Sequence, residues 1–254
     1  MRQYRKLLSI ALMALGSLPL GPTAQAAEIN ALVSVALKSP LEEIAAMFEE
    51  KTGNRVHVQA ISPAEAARRV RSGEAFDIVV GNTTALTDYK SGGLVGDARL
   101  VGTLYVVLAY RRGAAAPDAA TMVGLRTTLQ KAKSIAHSDP AEGGSSTRYF
   151  KTLVGELNMD PEVTPKTIIT PPGKGAVPVE KGEAELAAVL ASELIGMKEV
   201  EGVKLVPSDP RGHTAFAGAA STHSQQAATN QSFLEALRTT ESAAILKKWG
   251  FEQE

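Results

Sequence analysis

The stretch His137-Ser138-Asp139-Pro140-Ala141-Glu142-Gly143-Gly144-Ser145-Ser146-Thr147-Arg148 decides how this chain is read. It follows a short strand-like run at 134–136 and feeds a helical pattern. Tyr149, Phe150, Leu153, Val154 and Leu157 recur there at helical spacing. The Gly143-Gly144 pair turns the backbone at little steric cost. Ser145, Ser146 and Thr147 carry oxygens that can cap the helix. A helix start presents N–H groups without intrahelical partners at the positive end of its dipole, a setting that favours an anion. Arg148 adds a fixed positive charge in the first turn. The same residues also suit an ordinary capped helix after a glycine turn, so the rest of the chain has to decide.

Working outward, the strand, loop and helix recur on both sides. Before the stretch, strands are expected at 30–36, 56–60, 76–80 and 104–110, with helices at 40–51, 63–72 and 85–90. The first of these helices carries Leu41, Ile44, Ala45 and Phe48 on one stripe. A helix at 124–132 leads into the stretch itself. After it come a helix at 146–157, strands at 167–169, 186–190, 203–206 and 214–220, and helices at 176–181, 226–237 and 242–249. Strands alternating with helices predict an α/β fold with doubly wound, mainly parallel sheets. Ligands of such sheets sit beyond the carboxyl ends of strands. The loops there carry Lys38, Ser39, Ser62, Asn82, Ser145, Ser146, Thr147, Arg148, Lys174 and Ser192. Hydroxyls, amides and single cations suit an anion or a polyol better than a nucleophile with its base.

Composition narrows the setting. Residues 1–26 read as a signal peptide: Arg2, Arg5 and Lys6 precede a largely apolar run, and Ala24-Gln25-Ala26 is a small-residue cleavage site. The mature chain is therefore expected in the periplasm, not embedded in a membrane. Without that segment 24 basic residues face 27 acidic ones, a net of −3. This excess of acid argues against a nucleic-acid partner. The chain has no cysteine, so its stability must come from its core. With four histidines and no cysteine, no dedicated metal site and no cofactor are expected.

The ordered segments resemble the periplasmic molybdate-binding proteins of ABC transporters, which have the two-lobed type II solute-binding fold. The resemblance rests on Leu-x-x-Ile-Ala-x-x-Phe at 41–48, on Phe76-Asp77-Ile78-Val79-Val80, and on Ser138-Asp139-Pro140 with its Gly-Ser loop. Val179-Glu180-Lys181-Gly182-Glu183-Ala184, Ser192-Glu193-Leu194 and Lys247-Lys248-Trp249-Gly250-Phe251 complete it. It implies one lobe formed by 28–104 plus 212–254, a second by 105–211, closure on a ligand about a hinge, and an ABC permease as partner. The family's ligand positions fall near Ala36, Pro63, Ser145, Pro172 and Leu190. Ser145 keeps the expected backbone donor, whereas Pro172 has no N–H to give. The altered set speaks against molybdate. The cations Lys38, Arg148 and Lys174, in or beside three of the loops, would suit a small organic polycarboxylate.

Two functions follow. The first is a binding protein that captures a small anion between its lobes. The second is an isomerase on the same fold, since the aconitate isomerases resemble molybdate-binding proteins. Such an enzyme would interconvert cis- and trans-aconitate by allylic proton transfer and needs an acid/base group. His137, Glu142 and Glu193 are the candidates.

Overall fold

The computed structural model describes residues 26–252. The signal-peptide reading of 1–26 lies, apart from Ala26, outside the described residues. The elements run β1 (Glu28–Ser34), α1 (Lys38–Thr52), β2 (Arg55–Ile61), α2 (Pro63–Arg71), β3 (Ile78–Asn82), α3 (Thr83–Ser91) and β4 (Arg99–Arg111). They continue with α4 (Met122–Lys131), β5 (Ile135–Ser138), α5 (Ser145–Glu156), α6 (Asp160–Val163), β6 (Thr167–Thr170), α7 (Val177–Lys181) and β7 (Leu186–Leu190). The chain closes with β8 (Val200–Lys204), β9 (His213–Ala220), α8 (Ala227–Ala236) and α9 (Thr240–Lys248).

The strands form one sheet in the order β2-β1-β3-β9-β4-β7-β5-β6, with β8 also paired to β4. The expected parallel ladders are present: β1 with β2 and β3, and β5 with β6 and β7. The long strands β4 and β9 add antiparallel pairings and make the sheet mixed. The handover falls within β4. Its residues up to Tyr105 pair with β9, and from Val106 onward they pair with β7.

Both faces of the sheet are covered, so its central strands are apolar on alternate residues in both directions. In β1 and β3, Ile29, Ala31, Val33, Ile78 and Val80 pack towards α1, whose Leu41, Ile44 and Phe48 form the buried stripe. Leu32 and Val79 point the other way, onto Leu86 and Tyr89 of α3. Phe233 of α8 meets Phe48 edge-on with ring centroids 5.2 Å apart. In the other half, Leu125 and Leu129 of α4 and Phe150 and Leu153 of α5 share a core with Leu108, Ile135 and Ala188. Val179 of α7 covers the opposite side, on Ala136, Ala187 and Val189. Among the described residues no helix is long and apolar enough to cross a membrane.

Candidate functional site

Two pairs of parallel strands, one from each half of the sheet, deliver their last residues to one place. Ser34 ends β1, Asn82 ends β3, Ser138 ends β5 and Leu190 ends β7, and all four line a cleft between the two halves of the sheet. The cleft is narrow, with about 40 Å³ of room for solvent between its walls. Two glycines let the halves approach each other. Gly143 and Gly173 both have left-handed φ, at 72° and 70°. A Cβ at Gly143 would sit 3.6 Å from Pro63, and one at Gly173 would sit 3.5 Å from Val35. A side chain at either position would be strained by this backbone conformation, although its Cβ would make only ordinary contact with the facing wall.

The cleft is built largely from helix starts. Val35 and Ala36 open a 3-10 turn, Pro63 opens α2, Asn82 caps α3, and Ser145 and Ser146 open α5. No side chain caps α5, whereas Ser62 and Asn82 cap α2 and α3 by accepting from the N–H groups of Glu65 (3.1 Å) and Ala85 (2.9 Å). The first helical bond of α5 runs from the Arg148 N–H to the Gly144 carbonyl at 3.0 Å. The N–H groups of Ser145, Ser146 and Thr147 precede it and have no intrahelical acceptor. Burial of Tyr149, Phe150, Leu153 and Val154 anchors this helix to the sheet and fixes where its start points.

Two acidic side chains also line the cleft, Glu142 and Glu193, and no lysine or arginine does. The Glu193 carboxylate turns back into the protein. It accepts from the Gly175 N–H at 3.0 Å and from the Leu190 N–H at 3.4 Å. Burial pushes its pKa above the usual carboxylate value, against the lowering effect of those two N–H groups and of the Lys174 charge. The folded state therefore favours the neutral acid. Its contribution to stability is greatest below the ordinary value of 4.5 and is lost as pH rises through the raised one. Glu193→Gln, which keeps one acceptor oxygen, should flatten that loss. Melting temperatures of the two proteins between pH 4 and 8 check this, and parallel profiles would remove Glu193 as the titrating group.

Of the residues expected from sequence, Asn82, Glu142, Ser145, Ser146 and Glu193 line the cleft. The others do not. Lys38 donates to Glu42 one helical turn on, at 2.6 Å, and stays exposed. Lys174 is exposed and Ser39 half-buried, both outside the lining. Ser62 is occupied in capping α2. The Thr147 hydroxyl is buried and donates to the Ser138 carbonyl at 3.2 Å. Arg148 lies in an adjoining chamber. Ser192 is buried, and its hydroxyl has no hydrogen-bond partner. His137 is buried beneath the cleft with Nδ1 2.7 Å from the Ser138 carbonyl oxygen, and burial lowers its pKa. Sequence reading passed over Ser34 and Phe216 as lining residues, and Ser138 entered only as the start of the 138–146 loop. For the two serines the available signal was their place at the ends of parallel strands.

The family model of the bacterial extracellular solute-binding proteins matches residues 29–252. The chain belongs to this family. Among individual relatives, this solute-binding protein is 27% identical to an aconitate isomerase of Pseudomonas sp. over 252 residues, covering 96% of this chain and 95% of that protein. Its fold is similar to that of the periplasmic molybdate-binding protein of Azotobacter vinelandii. There the TM-score is 0.68 at 15% identity, over 89% of this chain and 99% of that one. It is also similar to the sulfate-binding protein of Mycobacterium tuberculosis H37Rv, with a TM-score of 0.69 at 16% identity, over 89% and 86% of the two chains.

Proposed function

We propose that this solute-binding protein captures a small organic carboxylate in the cleft, with one carboxylate held at the start of α5, and hands it to an ABC permease. The observation that carries this reading is the composition of the cleft wall. Unpartnered helix N–H groups, which attract an anion, stand beside two glutamates with no cation among them. A tetrahedral oxyanion such as molybdate or sulfate is mainly an acceptor and finds no cation in this wall. An organic acid presents carbon-bound hydrogens and hydroxyl or carboxyl donors towards such a wall, while its carboxylate takes the helix end.

A second reading, an isomerase that moves a double bond within a tricarboxylate, is favoured by one further observation. Glu193 is among the cleft residues, and burial shifts its pKa upward, the direction that suits an acid/base group working near neutral pH. The full-length match to an aconitate isomerase is in keeping with it.

The test is a thermal-shift and calorimetric screen of molybdate, sulfate, succinate, tricarballylate and the two aconitates, with the aconitate isomers followed for interconversion. The expected result is a raised melting temperature with the organic acids and none with molybdate or sulfate. Stabilisation by molybdate alone overturns the carboxylate reading. Interconversion that is lost in Glu193→Gln, with binding retained, would favour the isomerase.

A further inference from the structure

Asn82 and Ser145 also line a second chamber of about 400 Å³ beside the cleft. It lies between the start of α3 and the outer side of α5. Its charged lining differs from that of the inner cleft: Arg148 and Arg211 line it, and no carboxylate does. Arg211 is already engaged. Its guanidinium donates to Glu156 at 2.6 and 3.1 Å and to Asp209 at 2.7 Å. Arg148 differs. It donates to the Gly143 carbonyl at 2.8 Å, which holds it over the glycine turn beside the cleft entrance. Among the described residues no carboxylate pairs with it, so most of its five donors face solvent or the chamber. Thr83 and Thr84, which open α3, line the same chamber.

We infer that this chamber is the subsite for a second carboxylate. The ligand is an elongated di- or tricarboxylate that spans the Asn82–Ser145 threshold, with one head at the start of α5 and another at Arg148. The inference rests on the carboxylate reading above. It follows from the separation of charge between two adjoining cavities that share Asn82 and Ser145. A single-headed anion leaves Arg148 to water, whereas a two-headed one brings a carboxylate to a guanidinium suited to bind it. It also keeps its second charge away from Glu142 and Glu193. Arg148 thus sets specificity by the number of heads and the distance between them.

Titration calorimetry of the wild type and Arg148→Gln with propionate, malonate, succinate, glutarate and tricarballylate tests it, with propionate measured by displacement. The wild type should prefer the longer multi-headed acids over propionate. Arg148→Gln should weaken those acids by at least about tenfold, the scale of a charged hydrogen bond, and leave propionate within about twofold. Arg148→Lys should recover part of the loss, and it serves as the probe where the glutamine variant fails to fold. An equal loss across the whole series, or no loss at all, overturns the chamber as a subsite. Failure of every carboxylate to bind the wild type removes the carboxylate reading, and the chamber with it. Binding that ignores Arg148 removes the chamber alone.

Discussion

Ser145→Asp is expected to weaken ligand binding by at least about 100-fold while leaving the melting temperature unchanged or slightly raised. Ser145 is the first residue of α5, half-buried, and lines both the cleft and the adjoining chamber. An aspartate there tethers a carboxylate at the helix start, where the bound anion is proposed to sit. The helix end stabilises such a residue by about 0.3–1 kcal/mol, so folding does not suffer. The ligand loses its N–H donors and meets a like charge. A 100-fold loss corresponds to about 2.7 kcal/mol at 25 °C. Calorimetry with the best-binding acid, run beside a melting curve, separates the two effects. An unchanged dissociation constant would take the start of α5 out of the ligand's path.

Phe150→Ala should destabilise the protein by about 3–5 kcal/mol, the usual cost of emptying a buried aromatic site. The ring is 1% exposed and packs in the core shared by α4, α5 and β5, with its centroid 5.8 Å from that of His137. For a chain of this size each 1 kcal/mol lowers the melting temperature by about 2–4 °C, so a fall on the order of 10 °C is expected. Phe150 also carries the helix whose start forms the cleft wall. The variant should therefore bind more weakly, and saturating ligand should restore part of the lost melting temperature. A change of less than about 1 kcal/mol by chemical denaturation would show that the core tolerates the cavity.

Much of the fold was legible because its signals are local. The apolar run at 186–190 is β7 with the same ends, and the stripe of Leu41, Ile44 and Phe48 is the buried face of α1. Departures occur where a long-range partner outweighs local pattern. Strand β4 begins at Arg99, five residues before the expected strand. Its first part is exposed at Leu100 and is held by pairing with β9 through a bulge near Gly102. The apolar residues Val203, Leu205 and Val206 suggested a strand at 203–206, yet β8 is Val200–Lys204, in register with β4. Val206 then leaves the strand with φ at 41°. The short helix α6 was not expected, its four residues being too few to show a period.

The cleft divides in the same way. Residues that belong to it through backbone chemistry, such as Asn82, Ser145 and Ser146, could be found from sequence, because caps and first turns carry recognisable side chains. The cations could not be placed so. Lys38 looked like a ligand cation until its folded neighbour Glu42 took it, and Lys174 faces outward.

By itself the sequence determined the alternation of strands and helices, the glycine-serine turn, and the helix start that follows it, since each depends on residues within a few positions of one another. Only the tertiary structure decided that Ser34, Asn82, Ser138 and Leu190 end at one cleft. The same holds for the side chains of Glu142 and Glu193, which form its wall, and for Arg148, which stands in a chamber beyond. Those four strand ends lie 48 to 156 positions apart in the chain, and no local pattern encodes which of them meet.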